Sequence, residues 1–352
     1  MMDRLESFDS SDLMEFIAPP KIKIVGVGGA GNNTLSRLYS RKIKGVETFA
    51  LNTDAMHLDN SQADFKTVLG AEITQGRGAG GDPHLGRRCA EEDEKILRTM
   101  VDGADMVFVI AGMGGGTGTG AAPVVAQYAR ETEALVVGVA VLPFSTEGIN
   151  RRKCAVRGLL ELKNNSHCVI ELDNEKLNDV TKGKYPMGQA FAVMDDLITE
   201  TVQSLSEVVT EPSTINVDFA DLRKIIETGG NAKVLYGESE SSEPGDVLDA
   251  VLCNPILSPL IGSDYKGAEA VLLHIATGNE LTLNSCSEVV SALEYELSDD
   301  VNLIWGLRTD DSMGSSVKVV MLVASIPEIE SSELEDIKES LSSLGDSVQM
   351  IN

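Results

Sequence analysis

From Lys21 onward the chain alternates apolar runs with longer segments of helical periodicity, and this alternation constrains the fold more than any other feature. The runs KIKIVGV, VETFALN, DMVFVIAG, ALVVGVAVLP and HCVIELD are largely continuous rather than apolar at every second position. Such runs are typical of strands that are covered on both faces. Helical patterns at 82–101, 121–130 and 151–163 separate them. Strand–helix alternation over this length predicts an α/β fold with a parallel sheet and right-handed crossovers.

A long helix and a smaller unit follow the alternating part. Apolar residues recur at three- and four-residue steps from Phe191 to Val209, which predicts a helix at about 188–209 with one buried stripe. After Gly229-Gly230, three strand-like runs and one helical stretch at 285–296 predict a smaller α+β domain. We therefore divide the chain into an N-terminal polar arm (1–20), a first domain with the central helix (21–210), an acidic loop with its following helix (211–228), an α+β domain (229–326) and an acidic tail (327–352).

Two glycine-rich segments each follow a predicted strand and precede a predicted helix. The first reads G-x-G-x-x-G from Gly26 to Gly31, and the second runs from Gly112 to Gly120. Backbone N–H groups in such loops, together with a helix N-terminus, bind phosphate groups. The hydroxyls of Thr117 and Thr119 could add further donors. The first motif alone would also suit a nicotinamide-dependent oxidoreductase, but a second phosphate-binding loop favours a nucleotide with several phosphates.

The loops and the histidines narrow the chemistry further. Neither loop contains a lysine, and the chain has no G-x-x-x-x-G-K-[ST] motif. The phosphate charge is therefore expected to be offset by backbone dipoles and a divalent cation such as Mg²⁺. The four histidines are dispersed without a convincing catalytic partner, so the oxidoreductase alternative lacks a catalytic residue.

Charge and cysteine content restrict the expected partners and compartment. The formal net charge of −26 argues against nucleic acid and anionic membrane surfaces as direct partners. The five cysteines are scattered and odd in number, which predicts buried thiols in a reducing cytoplasm rather than disulfides or a zinc site. No apolar run reaches the length of a membrane span, so direct membrane insertion is not expected.

The strings around the glycine loops resemble the tubulin/FtsZ family, and archaeal FtsZ in particular. GVGGAGNN, LNTDA, GRGAGGDPHLGRR, GMGGGTGTGAAP, PFSTEG and INVDFADLRKI occur in the family's order, and the resemblance extends from Lys21 to Ile326. It implies a Rossmann-like GTPase domain with a parallel sheet, a long central helix and a smaller α+β C-terminal domain. It also implies GTP and GDP as ligands, assembly into a head-to-tail homopolymer, and a cytoplasmic protein concentrated at the division site.

The resemblance also implies roles for individual residues. Asp54 would lie near the metal and the γ-phosphate, with metal contact mainly through phosphates and water, although such an Asp is usually a turn residue or helix cap. Phe191 suits either the base pocket or the core, and either Asp195 or Asp196 could read guanine, since they point about 100° apart. The implied nucleotide-binding set is Gly29, Ala30, Gly31, Asn32, Asn33, Asn52, Asp54, Gly78, Ala79, Gly80, Gly114, Gly115, Gly116, Thr117, Gly118, Thr119, Glu147, Arg151, Phe191, Asp195 and Asp196.

The segment NVDFAD supplies the implied catalytic residues Asn216, Asp218 and Asp221, which could alternatively only cap the next helix. The central helix separates them from the base pocket by about 20 residues, or roughly 30 Å at 1.5 Å per residue. They are therefore expected to act on the nucleotide of a neighbouring subunit. Two alternatives remain open at this point: the same polymer serving cell shape, and a non-hydrolysing scaffold, against which the intact acids of NVDFAD count. A membrane link is expected to use an adaptor protein, which the acidic tail could bind.

Overall fold

A computed structural model describes residues 19–175, 186–211, 213–229, 231–252, 268–295, 297 and 301–324. The acidic tail at 327–352 and all but two residues of the polar arm lie outside this set. Ten strands form one sheet in the order β3-β2-β1-β4-β5-β6-β7-β10-β8-β9. The strands are β1 (Ile22–Val27), β2 (Val46–Asn52), β3 (Phe65–Val68), β4 (Met106–Gly112), β5 (Leu135–Leu142), β6 (Cys168–Asp173), β7 (Asn231–Ser239), β8 (Ala270–Thr277), β9 (Asn302–Thr309) and β10 (Val317–Ala324).

Eleven α-helices, numbered in chain order, accompany these strands in the described residues. They are α1 (Gly28–Arg41), α2 (Ala55–Asn60), α3 (Ala71–Thr74), α4 (Pro83–Glu92), α5 (Glu94–Val101), α6 (Thr117–Glu131), α7 (Ile149–Asn165), α8 (Met187–Thr210), α9 (Phe219–Glu227), α10 (Pro244–Leu252) and α11 (Leu283–Tyr295). Helix α8 is the central helix expected from the apolar stripe. It packs against α1 on one face of the sheet.

The first six strands are all parallel and follow the order 3-2-1-4-5-6. This is the Rossmann order, in which the chain direction across the sheet reverses between β1 and β4. A crevice opens at such a reversal, beyond the carboxyl ends of the two strands, and ligands of parallel α/β proteins bind there. The two glycine loops follow β1 and β4, so the topology brings them to the same crevice.

The sheet is covered on both faces, as the continuous apolar runs predict. In β1, Ile22 and Ile24 belong to the hydrophobic cluster on the α1 and α8 side, whereas Val25 and Val27 belong to the cluster on the opposite side, with α4 to α7. All six residues of β1 are buried. Burial on both faces removes the alternation that a half-exposed strand would show, which makes these strands easy to recognise in the sequence.

Strand β7 joins the two parts of the chain into one sheet. It pairs with β6 in parallel through two residue pairs and with β10 antiparallel through seven. The sequence expectation omitted β7, the short edge strand β3 and helix α10, which lies between β7 and β8. In these elements polar residues interrupt the apolar runs, so the pattern that revealed the other strands is weak.

The single helix expected at 82–101 is wrong in one respect, because the chain breaks at Asp93. This residue has φ −92° and ψ 21° and separates α4 from α5. Its Oδ2 accepts a hydrogen bond of 2.7 Å from the backbone N–H of Gly70. The side chain thus stabilises the turn at Gly70, and the helix restarts one residue later.

Candidate active site

A cleft of about 450 Å³ lies at the carboxyl edge of the parallel sheet, between the two glycine loops and the first turns of α8. Its volume is within the range of small-molecule sites. Polar and apolar side chains and bare backbone share its walls. The lining residues are Gly29, Ala30, Asn33, Thr34, His57, Gly112, Met113, Gly115, Gly116, Thr117, Gly118, Val141, Pro143, Glu147, Arg151, Asn174, Phe191, Met194 and Asp195.

The two loops need glycine because their backbones touch each other and the strands behind them. Gly28 has φ +75°, and a Cβ on it would lie 2.8 Å from the backbone N of Gly118. A Cβ on Gly31 would lie 2.2 Å from the carbonyl oxygen of Ile110 in β4. Side chains cannot fit at such distances. The close approach leaves a groove walled by main chain, in which N–H groups are available to an anion.

The two threonines of the second loop differ in position, and only Thr117 lines the cleft. The hydroxyl of Thr117 lies 2.6 Å from that of Thr53, which joins this loop to the end of β2. The hydroxyl of Thr119 accepts a hydrogen bond of 2.8 Å from the N–H of Gly114 and does not line the cleft. Thr117 is placed to contact a ligand, whereas Thr119 holds the loop in shape.

The segment from Gly78 to Gly80 packs behind the second loop. The N–H of Gly78 donates to the carbonyl of Thr53 at 3.0 Å, and Ala79 is buried against Gly116. Neither residue lines the cleft itself. Asp54 caps helix α2, because its Oδ1 accepts from the N–H of His57 at 3.0 Å. Asp54 is therefore a helix cap, as the sequence allowed, and its Oδ2 takes no part in the capping hydrogen bond.

Two asparagines expected to contact the ligand are buried below the loops instead. Asn32 is fully buried, and its side chain donates to the carbonyl of Leu51 at 3.1 Å. The Oδ1 of Asn52 accepts from the N–H of Asp54 at 3.3 Å. Neither residue lines the cleft, whereas Asn33 does. Asn32 and Asn52 thus support the loops from beneath.

The structure separates the two aspartates at the start of α8. Asp195 lines the cleft, and its Oδ1 accepts a hydrogen bond of 2.6 Å from the hydroxyl of Thr34 on α1. Asp196 does not line the cleft; its side chain is 57% exposed and pairs with Arg37 at 2.6 Å. Burial raises the pKa of Asp195, while the Thr34 hydroxyl and the Arg37 charge act in the opposite direction.

Phe191, Glu147 and Arg151 form the other wall at this end. Phe191 is 40% exposed, so it is not a pure core residue, and its ring meets Phe144 edge-on at a centroid distance of 5.4 Å. The Nε of Arg151 lies 3.2 Å from Oε2 of Glu147. An aromatic face beside the partly buried carboxylate of Asp195 suits a planar heterocycle that donates hydrogen bonds.

Sequence reasoning missed Asn174 and His57, which both line the cleft. Asn174 is 3% exposed and follows β6 directly, and its Oδ1 has no hydrogen-bond partner among the described residues. The signal that could have found it is its place after a buried parallel strand, where side chains reach the carboxyl edge. His57 lies one turn into α2, outside every glycine motif.

The acidic segment is not part of this cleft. Asn216, Asp218 and Asp221 are absent from its walls. Asp218 caps α9, since its Oδ1 accepts from the N–H of Asp221 at 2.8 Å. The preceding Ile215 exchanges two backbone hydrogen bonds with Leu307 of β9, which ties the segment to the second half of the sheet.

Comparison with known proteins decides the family. The sequence profile of the Tubulin/FtsZ family, GTPase domain, matches residues 21–182, and that of the FtsZ family, C-terminal domain, matches residues 230–327. The chain belongs to the tubulin/FtsZ family. It is an FtsZ-type member and a GTPase, and its family binds GTP and GDP.

Similar proteins cover most of the chain. The cell division protein FtsZ 2 of Methanocaldococcus jannaschii is 43% identical over 306 residues, which are 87% of this chain and 80% of that protein. FtsZ 2 of Haloferax volcanii is 42% identical over 320 residues, covering 91% of this chain and 78% of that protein. A solved structure described as an empty FtsZ dimer from M. jannaschii matches with a TM-score of 0.82 and 38% identity, over 90% of this chain and 92% of the other.

Family membership answers the question that the first glycine motif raised. The motif from Gly26 to Gly31 belongs to a GTPase, and the oxidoreductase alternative is wrong. The expected Rossmann-like first domain with a central helix and a second domain is confirmed at the level of fold. None of the helices in the described residues is long and apolar enough to cross a membrane.

Proposed function

We propose that this FtsZ-type GTPase assembles head-to-tail into filaments and hydrolyses GTP at the junction between subunits. In this arrangement Asn216, Asp218 and Asp221 of one subunit act on the nucleotide in the cleft of the next. A heterologous contact of this kind repeats without closing and generates a filament. The supporting observation is that the cleft lies at the carboxyl ends of the parallel strands, whereas the acidic segment lies near their amino ends.

The contacts of α9 locate the acidic segment. Arg223, two residues after Asp221, donates to the carbonyl of Glu133, which stands just before β5 begins. Val141 and Pro143, at the other end of β5, line the cleft. A strand of eight residues spans roughly 26 Å at about 3.3 Å per residue. The acids of one subunit are therefore too far away to touch the nucleotide that the same subunit binds.

Within the cleft, the geometry supports a division of labour. Phosphates lie along the loop backbones at Gly29, Ala30 and Gly115 to Gly118, next to the positive ends of α1 and α6. The base lies at the opposite end, where Phe191 offers a ring face. The carboxylate of Asp195 accepts from the N1–H and the amino group of guanine, which adenine cannot offer together, and Asn174 contributes its free Oδ1.

Magnesium fits this site through the nucleotide rather than through a protein cage. No group of three or more metal-ligating side chains occurs in the described residues. Mg²⁺ typically keeps several waters and binds one or two carboxylates together with substrate phosphates. Asp54 supplies one such carboxylate, because its Oδ2 remains outside the helix cap. When bound, the ion would neutralise charge on the phosphate chain.

The biological role that we propose is a cytoplasmic ring at the division site. The relatives that cover most of the chain are named as cell division proteins. The net charge of −26 disfavours direct contact with anionic lipid, so a membrane link would use an adaptor protein. A role in cell shape is distinguished by depletion: a division protein leaves cells that grow without separating, whereas a shape protein leaves cells that divide with altered outline.

The decisive experiment follows phosphate release per molecule as the protein concentration rises, beside negative-stain microscopy with GTP and magnesium. Shared catalysis requires the specific rate to rise steeply as filaments appear. Asp221→Asn is expected to bind GTP and form filaments that persist, because its cleft is intact. Glu227→Gln, on the exposed part of the same helix, is the matched control and should behave as the wild type. A specific rate that does not change with concentration would contradict the proposal.

A mixing experiment tests the junction directly. Gly115→Val adds a side chain at the proposed phosphate end of the cleft, where a Cβ meets nothing within 4 Å, and it leaves the acids intact. In a mixture with Asp221→Asn, some junctions combine an intact cleft with intact acids. We expect more phosphate release than from either variant alone, under conditions in which the two sediment together. No gain despite co-sedimentation would argue that each subunit hydrolyses its own nucleotide.

A further inference from the structure

His57 lines the cleft, and its position suggests that it supplies a hydrogen-bond donor that the side chains of the glycine loops lack. The phosphate-binding loops contain no lysine. Among the described residues that line the cleft, His57 and Arg151 carry the basic groups. Arg151 pairs with Glu147 and lies against Gly114 of the second loop, whereas His57 lies against Gly29 of the first loop.

The ring of His57 lies against the bare backbone of Gly29. Its Nε2 is 3.4 Å from the point that a Cβ on Gly29 would occupy, and Cδ2 and Cε1 are both at 3.8 Å. Gly29 is the second residue of α1 and belongs to the loop where we place the phosphates. Nε2 therefore faces the part of the cleft in which phosphate oxygens would lie.

The other ring nitrogen indicates which one carries the proton. Nδ1 is buried and has no hydrogen-bond partner among the described residues. The nearby carboxylate of Asp54 is engaged by the backbone N–H of His57 and not by its ring. A neutral imidazole has one donor and one acceptor nitrogen. Nδ1 has no acceptor among the described residues to which it could donate, so the neutral tautomer with its proton on Nε2 is the one that leaves no buried N–H unpaired.

We propose that the Nε2–H of His57 donates a hydrogen bond to a phosphate oxygen of the bound nucleotide. The inference rests on the proposed placement of phosphates along the loop at Gly29. It makes His57 a specificity residue for the phosphorylated ligand and replaces one donor that a lysine supplies in other phosphate-binding loops.

Two amide substitutions separate this role from simple packing. In His57→Gln the side-chain amide nitrogen reaches about as far as Nε2, whereas in His57→Asn it reaches only to the position of Nδ1. We expect the Asn variant to bind GDP about 10- to 100-fold more weakly than the wild type, the range for a hydrogen bond to a charged group. The Gln variant should stay within a few-fold of the wild type.

Guanosine distinguishes a lost phosphate contact from a packing defect, because a packing defect would weaken the binding of guanosine and GDP alike. It has the base and the ribose but no phosphate, so all three proteins should bind it equally, as measured by NMR titration beside calorimetry with GDP. Equal GDP affinity of the Asn variant and the wild type, a loss in the Gln variant as large as in the Asn variant, or an equal loss for guanosine and GDP would each overturn the proposal. His84→Asn, on an exposed residue of α4 outside the cleft, is the control.

The same measurements distinguish this inference from the proposed function. If the wild type binds neither GDP nor GTP, the placement of the nucleotide fails and the His57 inference fails with it. If the wild type binds both and hydrolyses GTP in filaments while His57→Asn binds GDP normally, only the inference fails. Thermal unfolding of each variant confirms that the affinities compare folded proteins.

Discussion

The hydroxyl of Thr34 donates a 2.6 Å hydrogen bond to Oδ1 of Asp195, and this contact orients the carboxylate toward the cleft. It joins α1, which begins in the first glycine loop, to α8, whose first turns line the cleft. Asp196, one residue further along α8, points to Arg37 outside the cleft. The sequence could not decide between Asp195 and Asp196, whereas the packing of α8 on α1 turns only Asp195 toward the cleft.

Replacing the carboxylate of Asp195 with an amide should change which base the cleft prefers. In Asp195→Asn, one acceptor becomes an amide donor, which opposes the amino group of guanine but matches the carbonyl oxygen at the same place in xanthine. We expect GTP affinity to fall about 10- to 100-fold and XTP affinity to rise. Asp196→Asn is the matched control and should leave both unchanged. Competition against a fluorescent GTP analogue measures each affinity, and equal effects in the two variants would contradict the assignment.

The protonation of Asp195 adds a pH dependence to the same site. Burial raises the pKa of this carboxyl, so it gains a proton at a higher pH than an ordinary aspartate does. The protonated form has lost one acceptor for guanine. GTP affinity should therefore fall as the pH is lowered through this raised pKa, and the fall should be absent in Asp195→Asn. A wild-type affinity that is constant down to the ordinary range of aspartate would show that guanine does not need the charge.

Glycine substitutions should separate the folding of the loops from their binding. A Cβ on Gly31 would lie 2.2 Å from the backbone oxygen of Ile110, so Gly31→Ala forces α1 away from β4. We expect it to lower the free energy of unfolding by about 3 kcal/mol or more, at the upper end for overpacking. Gly115→Ala meets nothing within 4 Å and should change stability by less than about 0.5 kcal/mol.

The effect on nucleotide affinity should be the reverse: Gly115→Ala, which barely changes stability, should weaken nucleotide binding directly. Gly115 lines the cleft and Gly31 does not, so the added methyl of Gly115→Ala occupies space that a phosphate needs. Urea unfolding combined with GDP titration measures both quantities. If Gly115→Ala binds GDP as the wild type does, the phosphates do not lie along this part of the second loop.

What the sequence predicts well is the part in which a local pattern reflects a local cause. Strands β1 and β4 are buried on both faces, so their apolar runs are unbroken, and the glycines after them mark contacts between backbones. The fold and the glycine-loop end of the cleft follow from these two facts. Asn32, Asn52 and Thr119 belong to the same motifs, yet their side chains support the loops and do not line the cleft. The sequence could not show this, because a motif does not reveal which way each side chain points.

The features that escaped prediction depend on contacts between distant segments. Asn174 and His57 reach the cleft only because the sheet order brings β6 and β2 to the same edge as β1 and β4. Strand β7 has little signal of its own and is defined by its partners β6 and β10. The break at Asp93 likewise depends on Gly70, 23 positions earlier in the chain.

Asp218 has a capping role that can be separated from its proposed catalytic role. Its Oδ1 accepts from the N–H of Asp221 at the start of α9. Asparagine caps helices about as well as aspartate, whereas alanine costs about 1 kcal/mol. Asp218→Ala should therefore lower both stability and GTP hydrolysis, and Asp218→Asn should lower hydrolysis alone, by about 100-fold or more. Urea unfolding and phosphate release measure the two effects. Full activity in Asp218→Asn would leave this residue with the cap as its function.

A buried histidine lies where α8 meets the second half of the sheet. His274 in β8 is 3% exposed, and its Nε2 has no hydrogen-bond partner among the described residues. Burial, together with the charge of Arg308, lowers the pKa of His274 to about 4. Arg308 in turn donates hydrogen bonds to Glu207 of α8 at 3.0 Å and to Glu211, the residue that follows this helix, at 2.9 Å. His274 lines a cavity together with Arg308 and Glu207, and the other charged residues around it are Glu200, Asp310 and Lys318.

This histidine should make the protein less stable in acid. The unfolded chain takes up the proton near pH 6.5, whereas the folded protein resists it until about pH 4, so stability is complete above pH 6.5 and is lost as the pH falls toward 4. At pH 5 the loss due to His274 amounts to about 2 kcal/mol. Urea unfolding at pH 7 and pH 5 should therefore show a smaller acid loss in His274→Gln than in the wild type, while His84→Gln, on an exposed residue, should match the wild type. An equal acid loss in all three proteins would mean that His274 keeps its ordinary protonation inside the fold.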